Sequence, residues 1–299
     1  YKGLVRLFSV GVSVFFLVGT IVPSPAMAQA LNWTPQTLPA PGTFVGTSPA
    51  FQPVILRGLN IQLDNPFQFD FIVDSGDTNH SPEAFATESE KLIKYFLASL
   101  TVSEKDMWVN LSPEEKDRII PNTFGQTEMG RDLLAQDYML KQLSASLLHP
   151  ETELGKQFWE RIYEQSAEQG VLDQIPQDIF HKVWIVPDQA KIYQHEKGAF
   201  VVEAGLKVLM EEEYKRVVSS KWPVVGKKQN PTTYHLQPTT LMKNIILPTI
   251  QHEVNNGKTF SNLRQIYHSM ILATWYKQTL KQSLLTQAYV DQNKTQGVH

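Results

Sequence analysis

Phe67 to Val73 reads FQFDFIV, and this run decides the fold. Phe67, Phe69, Phe71 and Val73 fall on one side of a two-residue period, with Gln68 and Asp70 on the other. Alternating aromatics of this kind mark a strand with one buried face. Upstream, Asp64-Asn65-Pro66 is a turn signal. Before it, Val54 to Leu63 alternates imperfectly through Leu56, Leu59, Ile61 and Leu63. The two runs predict an antiparallel hairpin.

Downstream the period becomes helical. Ser81 caps a helix with Pro82 at its first position, and Phe85, Leu92, Ile93, Phe96, Leu97 and Leu100 follow a 3.6-residue repeat. Met107 to Leu111 reads as a short strand. Ser112-Pro113-Glu114-Glu115 is a capping box that opens a helix ending near Ile120. Thr127 to Leu148 is a long amphipathic helix ended by Pro150, with Leu133, Leu134, Leu140, Leu143, Leu147 and Leu148 toward the core. Glu151 to Gln169 is another, carrying Leu154, Phe158, Trp159, Ile162 and Tyr163, with Gly170 as its stop.

The strand period then returns in Lys182 to Val186, Lys191 to His195 and Ala199 to Met210, with Glu196-Lys197-Gly198 as a three-residue hairpin loop. Val208 to Val218 is open to a helical reading as well. Ser219 to Thr240 is a proline-bearing polar loop of the length expected of a mobile segment. Two helices close the chain: Leu241 to Val254, interrupted by Pro248, and Thr259 to Leu285. No repeat of fixed period is present.

The N-terminal segment has a different character. Lys2 and Arg6 precede Leu7 to Val22, sixteen residues without a charge, and Ala26-Met27-Ala28 follows a proline break. This is the order of a secretory signal peptide. Sixteen residues of helix span about 24 Å, short of the roughly 30 Å hydrocarbon core. Cleavage after Ala28 is expected; an uncleaved anchor is the other reading. Cleavage leaves 271 residues with 25 basic and 30 acidic side chains. The expected location is the periplasm or the exterior, with membrane contact only through the signal segment before cleavage. The sequence opens on Tyr1 rather than Met, as a fragment would.

The predicted class is therefore α+β: an antiparallel sheet packed on one face by several amphipathic helices, after the signal peptide. Residues 1–28 are the signal, 29–50 a Pro-rich extended arm, 51–290 a single domain with its mobile loop at 219–240, and 291–299 a frayed tail.

Composition excludes several classes. At 42% hydrophobic residues the chain is not disordered. With no cysteine it is not a disulfide scaffold, zinc finger or thiol enzyme. A balance of 27 basic to 30 acidic residues gives no reason to expect nucleic acid as partner.

The sharpest chemical motif is Phe71-Ile72-Val73-Asp74-Ser75-Gly76. Apolar strand residues followed by Asp-Ser-Gly resemble the active-site loop of aspartic proteases, where two carboxylates share a proton and activate water. Asp77 departs from that pattern, and there is no second Asp-Ser/Thr-Gly. A catalytic Asp74 would need a homodimer to supply its partner. The simpler reading is a turn leading out of the strand. Asp74, Asp77, Asn79 and His80 are weak candidates for a hard-cation site, without EF-hand spacing. His252-Glu253 begins a zincin motif, but Asn256 stands where the second His belongs. The remaining histidines lack ligand spacing and read as surface or half-buried side chains. No cofactor motif is present.

Four stretches carry a family resemblance: Asn65 to Asp77, Gly130 to Trp159, Phe180 to Tyr214 and His252 to Ser283. Over most of residues 50–298 the chain resembles an uncharacterised family of exported proteins from uncultured bacteria, whose function is unassigned. The resemblance implies secretion and a natural chain continuing past His299; it implies no activity, cofactor or site residue. The expected role is a non-catalytic binding or assembly protein of the bacterial cell envelope, acting on an unknown envelope protein or polymer. The alternative is an aspartic-type hydrolase centred on Asp74.

Overall fold

A computed structural model describes residues 38–62, 68–101, 122–168, 183–195, 198–210, 213 and 238–294. The expected signal segment, the turn signal at 64–66, Phe67, the elements expected at 107–120, Gly170 and nearly all of the 219–240 loop lie outside the described residues.

Four strands form one antiparallel sheet in the order β2-β1-β4-β3. They are β1 (Ile55–Ile61), β2 (Phe69–Asp74), β3 (Val183–His195) and β4 (Gly198–Met210). Five principal helices accompany them: α1 (Pro82–Thr101), α2 (Glu128–Leu148), α3 (Glu153–Glu168), α4 (Leu247–Asn256) and α5 (Ser261–Lys294). The α+β class follows directly.

The hairpin of β1 and β2 forms as its alternation requires, with Leu59 opposite Phe71 and Ile61 opposite Phe69. A bulge lies between Leu56 and Gly58. It explains the imperfect alternation: Arg57 is the extra residue, so Leu56 and Leu59, three apart, are both fully buried. Phe69 packs edge-on against Phe96 of α1 and Tyr276 of α5.

Two separate strands were expected before the second hairpin. They are one, because register shifts beside Pro187 and after Lys191 absorb the interruption while β3 continues. The expected three-residue loop is also shorter. Gly198 already pairs with His195, leaving only Glu196 and Lys197 between them. A Cβ on Gly198 would lie 2.1 Å from the Asn60 side-chain oxygen, so a larger residue there would have to push that amide aside.

Helix starts follow their caps. Ser81 Oγ accepts from the Ala84 N–H, Thr127 Oγ1 from Gly130 and Thr152 Oγ1 from Gly155. Pro248 shapes its helix differently from a simple interruption. A helical turn at Pro238–Leu241 widens into a π segment, Met242–Ile246, and α4 begins immediately after. The Leu247 N–H reaches back to the Met242 carbonyl, five residues away. Pro248 has no N–H and its ring clashes with a preceding carbonyl, and the wider turn accommodates both.

Helix α5 departs from the amphipathic pattern. From Gln265 through Ala273 every residue is buried. It packs against α1, β1, β4, α2 and α4. A helix enclosed in this way is apolar all round, and its polar exceptions, Gln265, His268 and Ser269, sit inside the molecule. Other expectations shift in detail. Tyr163 is 52% exposed rather than core. Asp291–Lys294, expected as frayed tail, continue α5.

Residues 38–50, the described part of the arm, turn at Pro41-Gly42, where the Thr43 N–H donates to the Ala40 carbonyl at 3.0 Å, and are bonded down. Tyr138 donates to the Pro39 carbonyl at 2.7 Å, and Ser146 Oγ accepts from the Val45 N–H at 2.9 Å. The end of the arm is stitched to the α4–α5 junction through Phe51 N–H to Asn256 O, 2.9 Å, and Lys258 N–H to Pro49 O, 3.1 Å.

Candidate functional site

Asp74 ends β2, and its surroundings are those of a structural carboxylate. Arg57, placed by the β1 bulge, donates to Asp74 Oδ2 through Nη2 at 2.9 Å and Nε at 3.2 Å. The Gly76 N–H donates to Oδ1 at 3.1 Å. Burial raises the Asp74 carboxyl, but the Arg57 hydrogen bonds, the Gly76 N–H and the charges of Arg57 and His268 outweigh it and carry it below its ordinary value. The group is therefore held ionised by an arginine. A proton-sharing dyad instead requires a second carboxylate beside it.

The rest of the motif closes a turn. Gly76 has φ +59°, and a Cβ there would lie 2.2 Å from the Gln52 carbonyl oxygen. Asp77 and Gln52 exchange two hydrogen bonds: Asp77 N–H to Gln52 O at 2.9 Å, and Gln52 N–H to Asp77 Oδ2 at 2.7 Å. Asp-Ser-Gly-Asp thus ties the exit of β2 to the chain entering β1. His80 is exposed. Among the described residues no three His, Asp or Glu side chains are grouped to hold a metal ion.

The zincin-like pair separates. His252 is exposed, whereas Glu253 is only 1% exposed. Glu253 anchors the arm: Ser48 Oγ donates to its Oε1, and the Ser48 N–H donates to Oε2 at 2.9 Å. Ser48 Oγ in turn accepts from the Thr259 N–H at 3.0 Å.

Several polar residues at the core escaped the sequence reading. His268 is 7% exposed, not the surface or half-buried side chain expected, and its Nδ1 has no hydrogen-bond partner. Its pKa falls to about 4, from burial first and then the Arg57 and Arg264 charges, with Asp74 opposing. Arg264 donates to the Val254 and Phe51 carbonyls at 2.9 and 2.7 Å. Burial brings it down to about 10, against the pull of Glu253. On α1, the Tyr95 hydroxyl donates to buried Asp132 of α2. Burial raises Asp132 against the Tyr95 bond, and burial with the Asp132 charge raises Tyr95 well above its usual range. The one available signal was the position of Gln265 and His268 among the closely spaced apolar residues Leu263, Ile266, Tyr267, Met270 and Ile271 of α5.

On the other side of the sheet, Tyr193, Phe200 and Val202 of β3 and β4 are 62%, 38% and 57% exposed. Tyr193 lies opposite Phe200 in the ladder, and its ring stacks with that of His195. Among the described residues no helix is long and apolar enough to cross a membrane.

Fold and site together define an α+β protein whose polar clusters tie chain segments together. No family model, no curated protein and no solved structure matches the chain.

Proposed function

We propose that this chain is an exported, non-catalytic binding or assembly protein of the bacterial cell envelope, with Tyr193, Phe200 and Val202 on its contact face. The observation that carries the non-catalytic part is the Arg57–Asp74 pair. The chain's sharpest catalytic motif uses its carboxylate to join two strands. Three exposed apolar side chains on adjoining strands supply a surface that water solvates poorly. Export and membership of the resembled exported family rest on residues 1–28 and on the four quoted stretches.

The test is co-sedimentation of the purified full chain with isolated envelope material, beside a Tyr193→Ser/Phe200→Ser double variant. Retention of the parent and loss in the variant supports the reading. Hydrolysis of a peptide or glycan library that disappears in Asp74→Asn overturns it in favour of an aspartic-type hydrolase.

A further inference from the structure

Asn256-Gly257 is the single Asn-Gly pair in the chain. Such a pair is the most reactive context for asparagine deamidation, because glycine puts no side chain in the way of its own nitrogen. In the fold both reacting groups are engaged. The Asn256 side chain, exposed at the last residue of α4, donates through Nδ2 to the His252 carbonyl at 3.2 Å. The Gly257 N–H donates to the Glu253 carbonyl at 2.8 Å, as the helix cap. The same two residues hold the arm. Phe51 N–H bonds the Asn256 carbonyl, and Ala50 bridges Gly257.

We propose that Asn256 is a spontaneous deamidation site held in check by the fold, and that isoaspartate formation there unlatches residues 49–51 from the end of α4. In the reaction the Gly257 nitrogen loses its proton and attacks Asn256 Cγ. The Cγ–Nδ2 bond breaks, and the nitrogen leaves as ammonia with a proton from solvent. Water then opens the succinimide at either carbonyl, giving aspartate or isoaspartate. The isoaspartyl chain runs through Cβ and Cγ, which adds one backbone atom at the latch. The former main-chain carbonyl, which accepted the Phe51 N–H, becomes a free carboxylate. Its charge falls at the negative end of α4 and beside the Glu253 carboxylate, which packs against Gly257.

The experiment incubates the full chain in mildly alkaline buffer, native and in urea, and follows residue 256 by peptide mapping with isoaspartate detection. Limited proteolysis within residues 38–50 reports the arm. Native protein should react at least about tenfold more slowly than denatured, because reaction waits on local opening of the helix end. Isoaspartate-containing molecules should be cut in the arm, while Asn256→Gln, whose longer side chain cyclises slowly, should keep the arm protected. Equal rates in the native and denatured states would overturn the protection. Isoaspartate molecules as resistant as the parent would overturn the latch.

Discussion

Asn255 stands in for a β-strand beside Leu206. Its side-chain Oδ1 accepts from the Leu206 N–H at 2.9 Å, and its Nδ2 donates to the Leu206 carbonyl at 2.8 Å. One turn earlier Gln251 Oε1 accepts from the Val208 N–H at 2.6 Å, and its Nε2 also donates to Leu206 O. β1 pairs with β4 only from Gly198 to Phe200. Beyond that point β4 would carry unpaired backbone groups on one edge, which is costly when they are buried. The two amides of α4 satisfy the Leu206 N–H and carbonyl and the Val208 N–H, and dock the helix on the sheet.

Replacing Asn255 by Leu removes a donor and an acceptor that a main-chain peptide otherwise needs. The expected loss is about 2 kcal/mol of stability, from hydrogen bonds gone and a buried amide stranded. Urea unfolding checks it. A midpoint equal to the parent's would show that water replaces the Asn255 amide without cost.

Stability should fall on acidification from His268. Its ordinary pKa is near 6.5, and in the fold it is about 4. Between those values the unfolded chain binds more protons than the folded one, so stability rises with pH across that window. The contribution is complete above pH ~6.5 and is lost progressively down to about pH 4, about 3 kcal/mol in all. His268→Gln should flatten this part of the pH profile measured by thermal melting. A profile with undiminished slope in the variant rules out His268 as its source.

Asp74→Asn should weaken the β1–β2 junction by about 1 kcal/mol. The Asp74 side chain is 38% exposed, so solvent screens the pair and the effect is modest. The depressed carboxyl contributes stability above its unfolded pKa and loses it as pH falls through the folded value. The parent and Asp74→Asn should therefore converge in stability at low pH. A gap that stays constant with acidification would mean that charge has no part in the junction.

Gly76→Ala combines a positive φ with a carbonyl contact that a methyl group cannot enter. The expected cost exceeds about 2 kcal/mol, since left-handed strain and steric displacement add. Ser75→Ala, at the exposed neighbouring position, should change stability by under about 0.5 kcal/mol. Calorimetry on both variants tests the contrast, and a harmless Gly76→Ala would refute the close approach to Gln52.

Local physics made much of this protein legible from its sequence. Alternation at Phe69 and Phe71 dictated a strand with one buried face. Ser81 and Thr127 stand where helix N-termini leave backbone N–H groups without acceptors, and Leu92, Phe96, Leu143 and Phe158 repeat at the period that buries one side. The Asp74-Ser75-Gly76 motif was readable as a turn for the same reason: a short acidic side chain and a glycine suffice to make one. What tertiary structure decided involves residues far apart in the chain. Nothing near Asp74 announces Arg57, because a bulge in another strand delivers it. Glu253 belongs to Ser48 only because α4 ends where the arm passes. His268 became buried because α5 is enclosed by helices and sheet together, and the amides of Gln251 and Asn255 took up backbone groups of Leu206 and Val208 on the edge that β1 leaves open. Local preferences select elements within a few residues. The partner of a buried polar group is chosen by which distant segment the folded chain brings within hydrogen-bonding distance.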